Sequence, residues 1–346
     1  MCFRWSNSLC LCALVVTIAT CPLLGCGSSS ESSDPGGSPG SGGTDDGAGP
    51  VETFSGVFTL DLAAEQTLAG VITPAHTTLT GQIESGPPVP TLLWEATSTE
   101  GECELLEPYA PFCEVDCGSG VCVADDVCRD DPDTMDAGTA TLTGVELADG
   151  GSEVELLAVL GKYQLPGASG VSYPPATEGA RLTLTADGIE ANPVLPLAPG
   201  FTVETTGISP LEITSGETVS MEREQPTTVT WTPADDPRAS RIFVEVDISH
   251  HGGQKGQIDC EIEDSGSLTI PATLITGLIN LGVAGFPDLK IARRAVGTTE
   301  TDEMSVTFQV QSQVTLPVEL PGFASCSEDL PCPDDLTCNN DVLLCQ

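Results

Sequence analysis

The chain has 346 residues, which is room for about two domains. It carries 51 Asp and Glu residues against 11 Lys and Arg, a formal net charge of −40, so its surface repels the phosphate backbone and nucleic acid is excluded as a ligand. Hydrophobic residues make up 40% of the chain, which excludes disorder throughout, whereas aromatic residues make up only 4% and leave few stacking platforms.

The N-terminal segment has the pattern of an exported protein. One charged residue, Arg4, precedes an apolar run that is too short and too interrupted by polar residues for a membrane span. This run ends in LLGC, residues 23–26, which resembles the lipobox of bacterial lipoproteins. The resemblance implies that residues 1–25 are a signal peptide and that Cys26 is acylated. An ordinary signal peptide that happens to contain a cysteine is the alternative.

Residues 26–50 follow as a Gly- and Ser-rich stretch without a large apolar side chain, and we expect a flexible tether. Gly27 rather than Asp follows the lipidated cysteine, which resembles the outer-membrane sorting pattern of enterobacterial lipoproteins. We therefore expect an outer-membrane location, facing the periplasm or the cell surface, with the acylated Cys26 holding the chain to the membrane.

From Phe54 onward, short stretches alternate apolar and polar residues between Gly, Pro and Asp turns, which predicts an all-β fold. Pro193, Pro196 and Pro199 disfavour strand pairing and indicate a domain boundary. We expect two antiparallel β-sandwich-like domains, the second of which resembles an immunoglobulin-like sandwich. The predicted parts are a β-rich domain over 51–198 with a Cys-rich insertion at 103–128, the immunoglobulin-like domain over 199–322 and a Cys-rich C-terminal module over 323–346.

One segment has a helical pattern, Pro271 to Leu281. Proline suits the first turn of a helix, and Thr269 is the predicted N-cap. The predicted apolar face consists of Leu274, Ile275, Leu278 and Ile279.

Ten cysteines remain once the signal peptide and Cys26 are set aside, and export makes disulfides the default. Two groups of four are each too short to bury a core, so we expect two disulfides within each group. The connectivity within each group stays open, and Cys103 and Cys260 are either joined to each other or free. Zinc is the disfavoured alternative, because the spacing does not match paired zinc knuckles. The two groups are Cys113, Cys117, Cys122 and Cys128, and Cys326, Cys332, Cys338 and Cys345.

The anchor, the tether and the two cysteine groups together resemble the Cys-rich surface lipoproteins of myxobacteria, and the cysteine groups are loosely similar to Dickkopf-type repeats. This resemblance implies a location and an architecture, but it gives no indication of an activity.

An enzyme is not expected. Asp264-Ser265-Gly266-Ser267 resembles the catalytic loop of aspartic proteases, but the chain has no second loop of this kind and the preceding residues are not apolar. A turn between strands explains the same letters. A hydrolase that uses Asp264 is therefore an alternative only, and His250 and His251 are interpreted as part of a solvated turn.

An acidic loop provides a weak calcium candidate and the one cofactor considered. Asp131, Asp133 and Asp136 lie close together in sequence, as calcium ligands do, but the order of ligands in an EF-hand is not matched. A solvated acidic loop is the favoured interpretation.

The sequence therefore predicts a lipid-anchored cell-envelope lipoprotein that acts as a non-enzymatic binding or structural module. Its expected partners are the membrane, through Cys26, and an envelope protein or a glycan. A carbohydrate- or calcium-binding adhesion protein and the Asp264 hydrolase are the alternatives.

Overall fold

A computed structural model describes residues 54–68, 71–90, 92–167, 169–188, 197–236, 239–251, 253–327, 330–333 and 336–346. The predicted signal peptide, the acylated Cys26 and the tether lie outside the described residues. Within these residues, the chain forms strands and a single helix, and this helix is not long and apolar enough to cross a membrane.

The strands are numbered in chain order. The first eleven are β1 (Phe54–Ala63), β2 (Gln66–Leu68), β3 (Val71–Thr73), β4 (His76–Ser85), β5 (Leu93–Glu100), β6 (Cys103–Tyr109), β7 (Val121–Ala124), β8 (Val127–Arg129), β9 (Ala140–Thr143), β10 (Glu153–Val159) and β11 (Lys162–Gln164). The others are β12 (Arg181–Gly188), β13 (Pro199–Thr206), β14 (Val219–Ser220), β15 (Thr227–Thr230), β16 (Arg241–Asp247), β17 (Gln257–Glu263), β18 (Ser267–Ile270), β19 (Asp288–Glu300), β20 (Met304–Glu319), β21 (Cys338–Asn339) and β22 (Leu344–Cys345).

One large sheet contains most of these strands, in the order β13-β12-β9-β10-β11-β4-β1-β20-β19-β16-β17-β6-β5. The predicted all-β class is confirmed, as is the alternation of buried and outward-facing residues. Phe58, Leu60 and Leu62 of β1 are fully buried, and so are Ile242 and Val246 of β16.

The sheet differs from the prediction in strand direction. Most of its ladders are antiparallel, but β1 pairs in parallel with β20, and the short β14 also pairs in parallel with β20. Strands β1 and β20 come from opposite ends of the described chain, so no tight hairpin forces them to be antiparallel. Period-two alternation does not encode the direction of a partner strand.

Two hydrophobic clusters form the core, and the long strands β19 and β20 contribute to both of them. The first cluster contains Phe58 and Leu142 together with Phe308 of β20. The second cluster contains Ile242 and Leu274 together with Leu316 of β20. The hairpin β5–β6 pairs with β17, so Leu105 packs in the second cluster although it precedes most of the first cluster in sequence. The division into domains at 198/199 stays a prediction, and pairing within the sheet crosses that position.

The helix α1 (Ala272–Leu281) packs its predicted apolar face into the second cluster. Its N-cap is Pro271 and no side chain caps it. The predicted cap was wrong, because Thr269 lies in β18 and its hydroxyl lies 2.9 Å from that of Thr228 on the neighbouring β15.

Five disulfides are present in the described chain, and the predicted disulfide-rich modules are confirmed. The first cysteine module (113–128) and the terminal cysteine module (326–345) share one connectivity, first to third and second to fourth. In both modules the third and fourth cysteines face each other across a two-stranded hairpin. The pairs are Cys113–Cys122, Cys117–Cys128, Cys326–Cys338, Cys332–Cys345 and, between β6 and β17, Cys103–Cys260.

Candidate functional site

The outward face of β6, β17, β16 and β19 carries a charged cavity of about 570 Å³. Successive residues of a strand point to opposite faces, so the strands that bury their apolar residues in the second cluster present their charged residues here. The lining includes three cationic and five acidic side chains, namely Arg241, Lys290 and Arg294 with Glu102, Glu104, Glu245, Asp259 and Glu261. Thus three of the 11 Lys and Arg residues of a strongly acidic chain gather in one cavity.

The strand register places four of these charges side by side. Glu104 of β6 is opposite Asp259 of β17, Asp259 is opposite Glu245 of β16, and Glu245 is opposite Lys290 of β19. Side chains directly opposite each other in neighbouring strands lie within contact range. The row therefore offers three carboxylates followed by one ammonium group.

Two ion pairs cross this face. Lys290 Nζ lies 2.6 Å from Glu245 Oε1, and Arg241 Nε lies 3.0 Å from Glu261 Oε1. Burial alone would lower the pKa of Lys290, but the hydrogen bond to Glu245 and the neighbouring carboxylates outweigh burial and raise it. Lys290 therefore stays charged.

Asp259 is the most perturbed carboxyl group of the cavity. Burial, opposed in part by a hydrogen bond from Gln257 and reinforced by the charge of Glu245, raises its pKa to about 6. Near neutral pH it can exchange a proton with a bound group more readily than an exposed aspartate can.

Arg294 is the least satisfied side chain of the cavity. Its guanidinium carbon lies 4.6 Å from the ring centroid of Phe243, a cation–π geometry. Its Nε is buried and has no hydrogen-bond partner among the described residues. Burial also lowers its pKa, although an arginine remains charged at physiological pH. A buried donor without an acceptor is costly, and the other N–H groups of the partly exposed guanidinium can donate to a ligand in the cavity.

Local sequence patterns do not indicate this cavity. The alternation in β16 and β17 indicates that Glu245 and Asp259 face away from the core, but it does not indicate that these two strands are neighbours. The sequence gives even less indication that Glu104 lines the cavity, because this depends on the pairing of the hairpin β5–β6 with β17 at the second cluster.

Asp264, the candidate of the hydrolase alternative, lies in the interior and is fully buried. Its carboxylate accepts hydrogen bonds from Trp231 Nε1 at 2.7 Å, Ser240 Oγ at 3.1 Å and Arg293 Nε at 2.6 Å. These contacts explain the residue as a structural anchor, and its carboxylate is not available to a substrate in solvent.

The acidic loop does not gather its carboxylates. Asp131 and Asp133 are exposed, while Asp136 accepts a hydrogen bond from the backbone of Gly138. In the described part of the chain, the groups of three or more close ligating atoms consist of cysteines that are already in disulfides. His250 and His251 lie in a turn after β16, with ring centroids 4.0 Å apart and ring planes tilted by 51°.

No protein-family model matches the chain, and no curated protein matches it. Among solved structures, it is similar to the crystal structure of the FN1–FN3 domains of chicken CNTN1, with 10% sequence identity and a TM-score of 0.17 over 73% of this chain and 72% of that chain. At this TM-score the likeness carries no argument about function.

Proposed function

We propose that this protein is a lipid-anchored cell-envelope lipoprotein that binds an envelope component through the charged cavity and catalyses no reaction. The LLGC sequence at 23–26 supports the anchor at Cys26, and the tether that follows would let the β-rich body stand clear of the outer membrane.

The observation that carries the binding role is the environment of Arg294. Its buried Nε has no acceptor among the described residues, in a cavity whose other cations are already paired with carboxylates. Structural arginines are normally satisfied by the protein itself, as Arg293 is in the core. An arginine without an acceptor among the paired charges of a cavity supports a binding role for that cavity.

The anchor is tested by replacing Cys26 with Ser in the producing cells. The parent should fractionate with membranes and the variant should appear in the soluble fraction, because the thiol that carries the diacylglycerol is gone. Recovery of Cys26→Ser in the membrane fraction would overturn the anchor.

The binding role is tested with the labelled Cys26→Ser chain and envelopes isolated from the same cells. The additional change Arg294→Met should weaken binding tenfold or more, because Met keeps most of the side-chain bulk and removes the donors. Arg181→Met is the matched control, since Arg181 is exposed and pairs with Glu204 away from the cavity. Equal binding by all three proteins would contradict a role for the cavity. The thermal midpoints of the three proteins should agree, which excludes unfolding as the cause.

Of an envelope protein and a glycan, the mixed donor and acceptor lining of the cavity favours a glycan. No observation favours the hydrolase, because the carboxylate of Asp264 is enclosed by its donors. Calcium binding at Asp131, Asp133 and Asp136 has no support from their placement.

A further inference from the structure

The charged cavity mixes donors and acceptors at close range. Arginine and lysine side chains only donate hydrogen bonds, whereas ionised carboxylates only accept them. Glu104, Asp259 and Glu245 stand in one row, and Arg294 lies four residues further along β19 from Lys290, on the same face of the sheet. A ligand that fits this lining must both accept and donate hydrogen bonds.

The carboxylates nearest to Arg294 are already engaged. Glu245 binds Lys290, Glu261 binds Arg241, and Asp259 accepts a hydrogen bond from Gln257 at 2.9 Å. These three groups lie close enough to Arg294 to influence its charge, yet none of them accepts a hydrogen bond from it. Arg294 therefore has no acceptor among the described residues, and a ligand in the cavity can supply one to its guanidinium.

Charge limits what that acceptor can be. The cavity holds five carboxyl groups against three cations, within a chain of net charge −40. A phosphate, a sulfate or a polyanionic chain would be attracted by the guanidinium of Arg294 but repelled by the carboxylates around it. A cation would be repelled by Arg294 itself. A neutral group that accepts from Arg294 avoids both penalties.

Hydroxyl groups meet all of these requirements, because each one donates one hydrogen bond and accepts others. Neighbouring hydroxyls on a sugar ring can accept from an arginine and donate to a carboxylate at the same time. The cavity volume, about 570 Å³, lies in the range of small-ligand sites.

We propose that the charged cavity is a binding site for a neutral saccharide, with Arg294 donating to one sugar hydroxyl and Asp259 and Glu104 accepting from others. This proposal rests on the binding function proposed above and names the ligand class for the same cavity. It does not use an aromatic platform, since Trp231 is buried in the second cluster and the ring of Phe243, in the cavity lining, lies under the guanidinium of Arg294.

The test uses envelopes from the producing cells and the labelled Cys26→Ser chain. One batch of envelopes is oxidised with periodate, which cleaves the carbon–carbon bond between vicinal hydroxyls, and a second batch is digested with proteinase K. We expect periodate to abolish the Arg294-dependent part of the binding and proteinase K to leave it intact. Binding should also change less than twofold between 50 and 500 mM NaCl, because a neutral ligand has no charge to screen.

Three results would contradict a saccharide ligand but leave the proposed binding function in place. The first is Arg294-dependent binding that survives periodate, and the second is binding that is lost only after proteinase K. The third is binding that falls steeply with salt, which would indicate an anionic ligand. Envelope binding that does not depend on Arg294 would instead overturn the cavity as the binding site, and the saccharide with it. Glu104→Gln provides a second variant, which should weaken periodate-sensitive binding because the amide accepts a hydrogen bond less strongly than a carboxylate does.

Discussion

The guanidinium of Arg293 and the carboxylate of Asp264 form an ion pair in which both side chains are almost completely buried, with Nε 2.6 Å from Oδ2. Arg293 also donates to the backbone oxygens of Ser209, Pro210 and Thr232. A single arginine on β19 therefore holds three separate loops in place. The pair therefore links these loops beside the second cluster, where Trp231 also donates to Asp264.

The first prediction concerns this pair. Asp264→Asn keeps the shape of the side chain but leaves the buried charge of Arg293 without a counter-charge. We expect the free energy of unfolding to fall by about 3–5 kcal/mol, as when one partner of a buried ion pair is removed. Urea denaturation of the Cys26→Ser chain at pH 7 measures this.

Glu204→Gln is the control for Asp264→Asn. It removes the partner of Arg181 from an exposed ion pair, and such pairs contribute about 1 kcal/mol or less. Losses of similar size in the two variants would contradict a structural role specific to the buried pair.

The surroundings of Asp264 illustrate which features the sequence predicts and which it does not. Period-two alternation was enough to predict the all-β class and the buried faces of β1 and β16, because burial acts on each strand separately. It could not indicate that Arg293, 29 residues further along the chain, supplies the counter-charge for Asp264. Charged residues in alternating stretches are assigned to solvent by default, and only pairing between distant strands reveals the exception.

The charged cavity could not be predicted from the sequence for the same reason. Its residues come from strands that are distant in sequence, and the parallel pairing of β1 with β20 is likewise invisible in local patterns. The sequence predicts that each group of four cysteines forms two disulfides, but it does not predict which cysteine pairs with which. Spacing restricts which cysteines can meet, whereas the path of the hairpin decides which of them do.

The second prediction separates the disulfides by location. Cys103–Cys260 joins β6 to β17 inside the second cluster and closes a sequence separation of 157 residues. The variant Cys103→Ala/Cys260→Ala should lose about 4 kcal/mol of unfolding free energy, because the unfolded chain regains the freedom of a long loop. Thermal denaturation should show a lower midpoint for the whole body.

The comparison variant is Cys117→Ser/Cys128→Ser, in the first cysteine module. Residues 113–128 contribute no side chain to either hydrophobic cluster, so this change should leave the midpoint of the body unaltered. Thermolysin should instead cleave the variant rapidly within the module, because local opening no longer requires global unfolding. A fall in midpoint equal to that of the Cys103/Cys260 variant would show that the module is part of the core.

The third prediction follows from the pKa of Asp259, which burial raises to about 6 from its ordinary value of 3.8. Between these two values the folded state holds a proton that the unfolded state has released, so stability falls as pH rises through this window. Asp259→Asn removes the cost of the buried charge. The variant should be more stable than the parent at pH 8, by about 1 kcal/mol after allowance for solvent screening, and nearly equal to it at pH 4.

Denaturant titrations at pH 4, 6 and 8 measure this difference. The amide oxygen of Asn can still accept the hydrogen bond from Gln257, so that contact is preserved. Asp302→Asn, at an exposed loop position, should change stability little at any of the three values. A variant that is less stable than the parent at pH 8 would mean that the charge of Asp259 is compensated within the cavity.

The fourth prediction concerns the close approach of two strands in the first cluster. Gly81 of β4 lies directly opposite Phe58 of β1, and a Cβ atom added at Gly81 would lie 2.1 Å from the ring carbon Cδ1 of Phe58. Phe58 is fully buried, with the rings of Tyr163 and Phe201 each 5.4 Å away, so its ring has no free space to enter. We expect Gly81→Ala to cost about 1–3 kcal/mol, as overpacking of a core does.

Gly167→Ala is the control for Gly81→Ala, because no atom lies within 4 Å of the added Cβ, and it should be neutral or slightly stabilising. The cause can be tested directly with a double-mutant cycle. If the ring of Phe58 is what the methyl group meets, the cost of Gly81→Ala should shrink in a Phe58→Leu background, since the smaller side chain leaves room for it. A cost that is unchanged by Phe58→Leu would place the strain in the β4 backbone instead of in the ring contact.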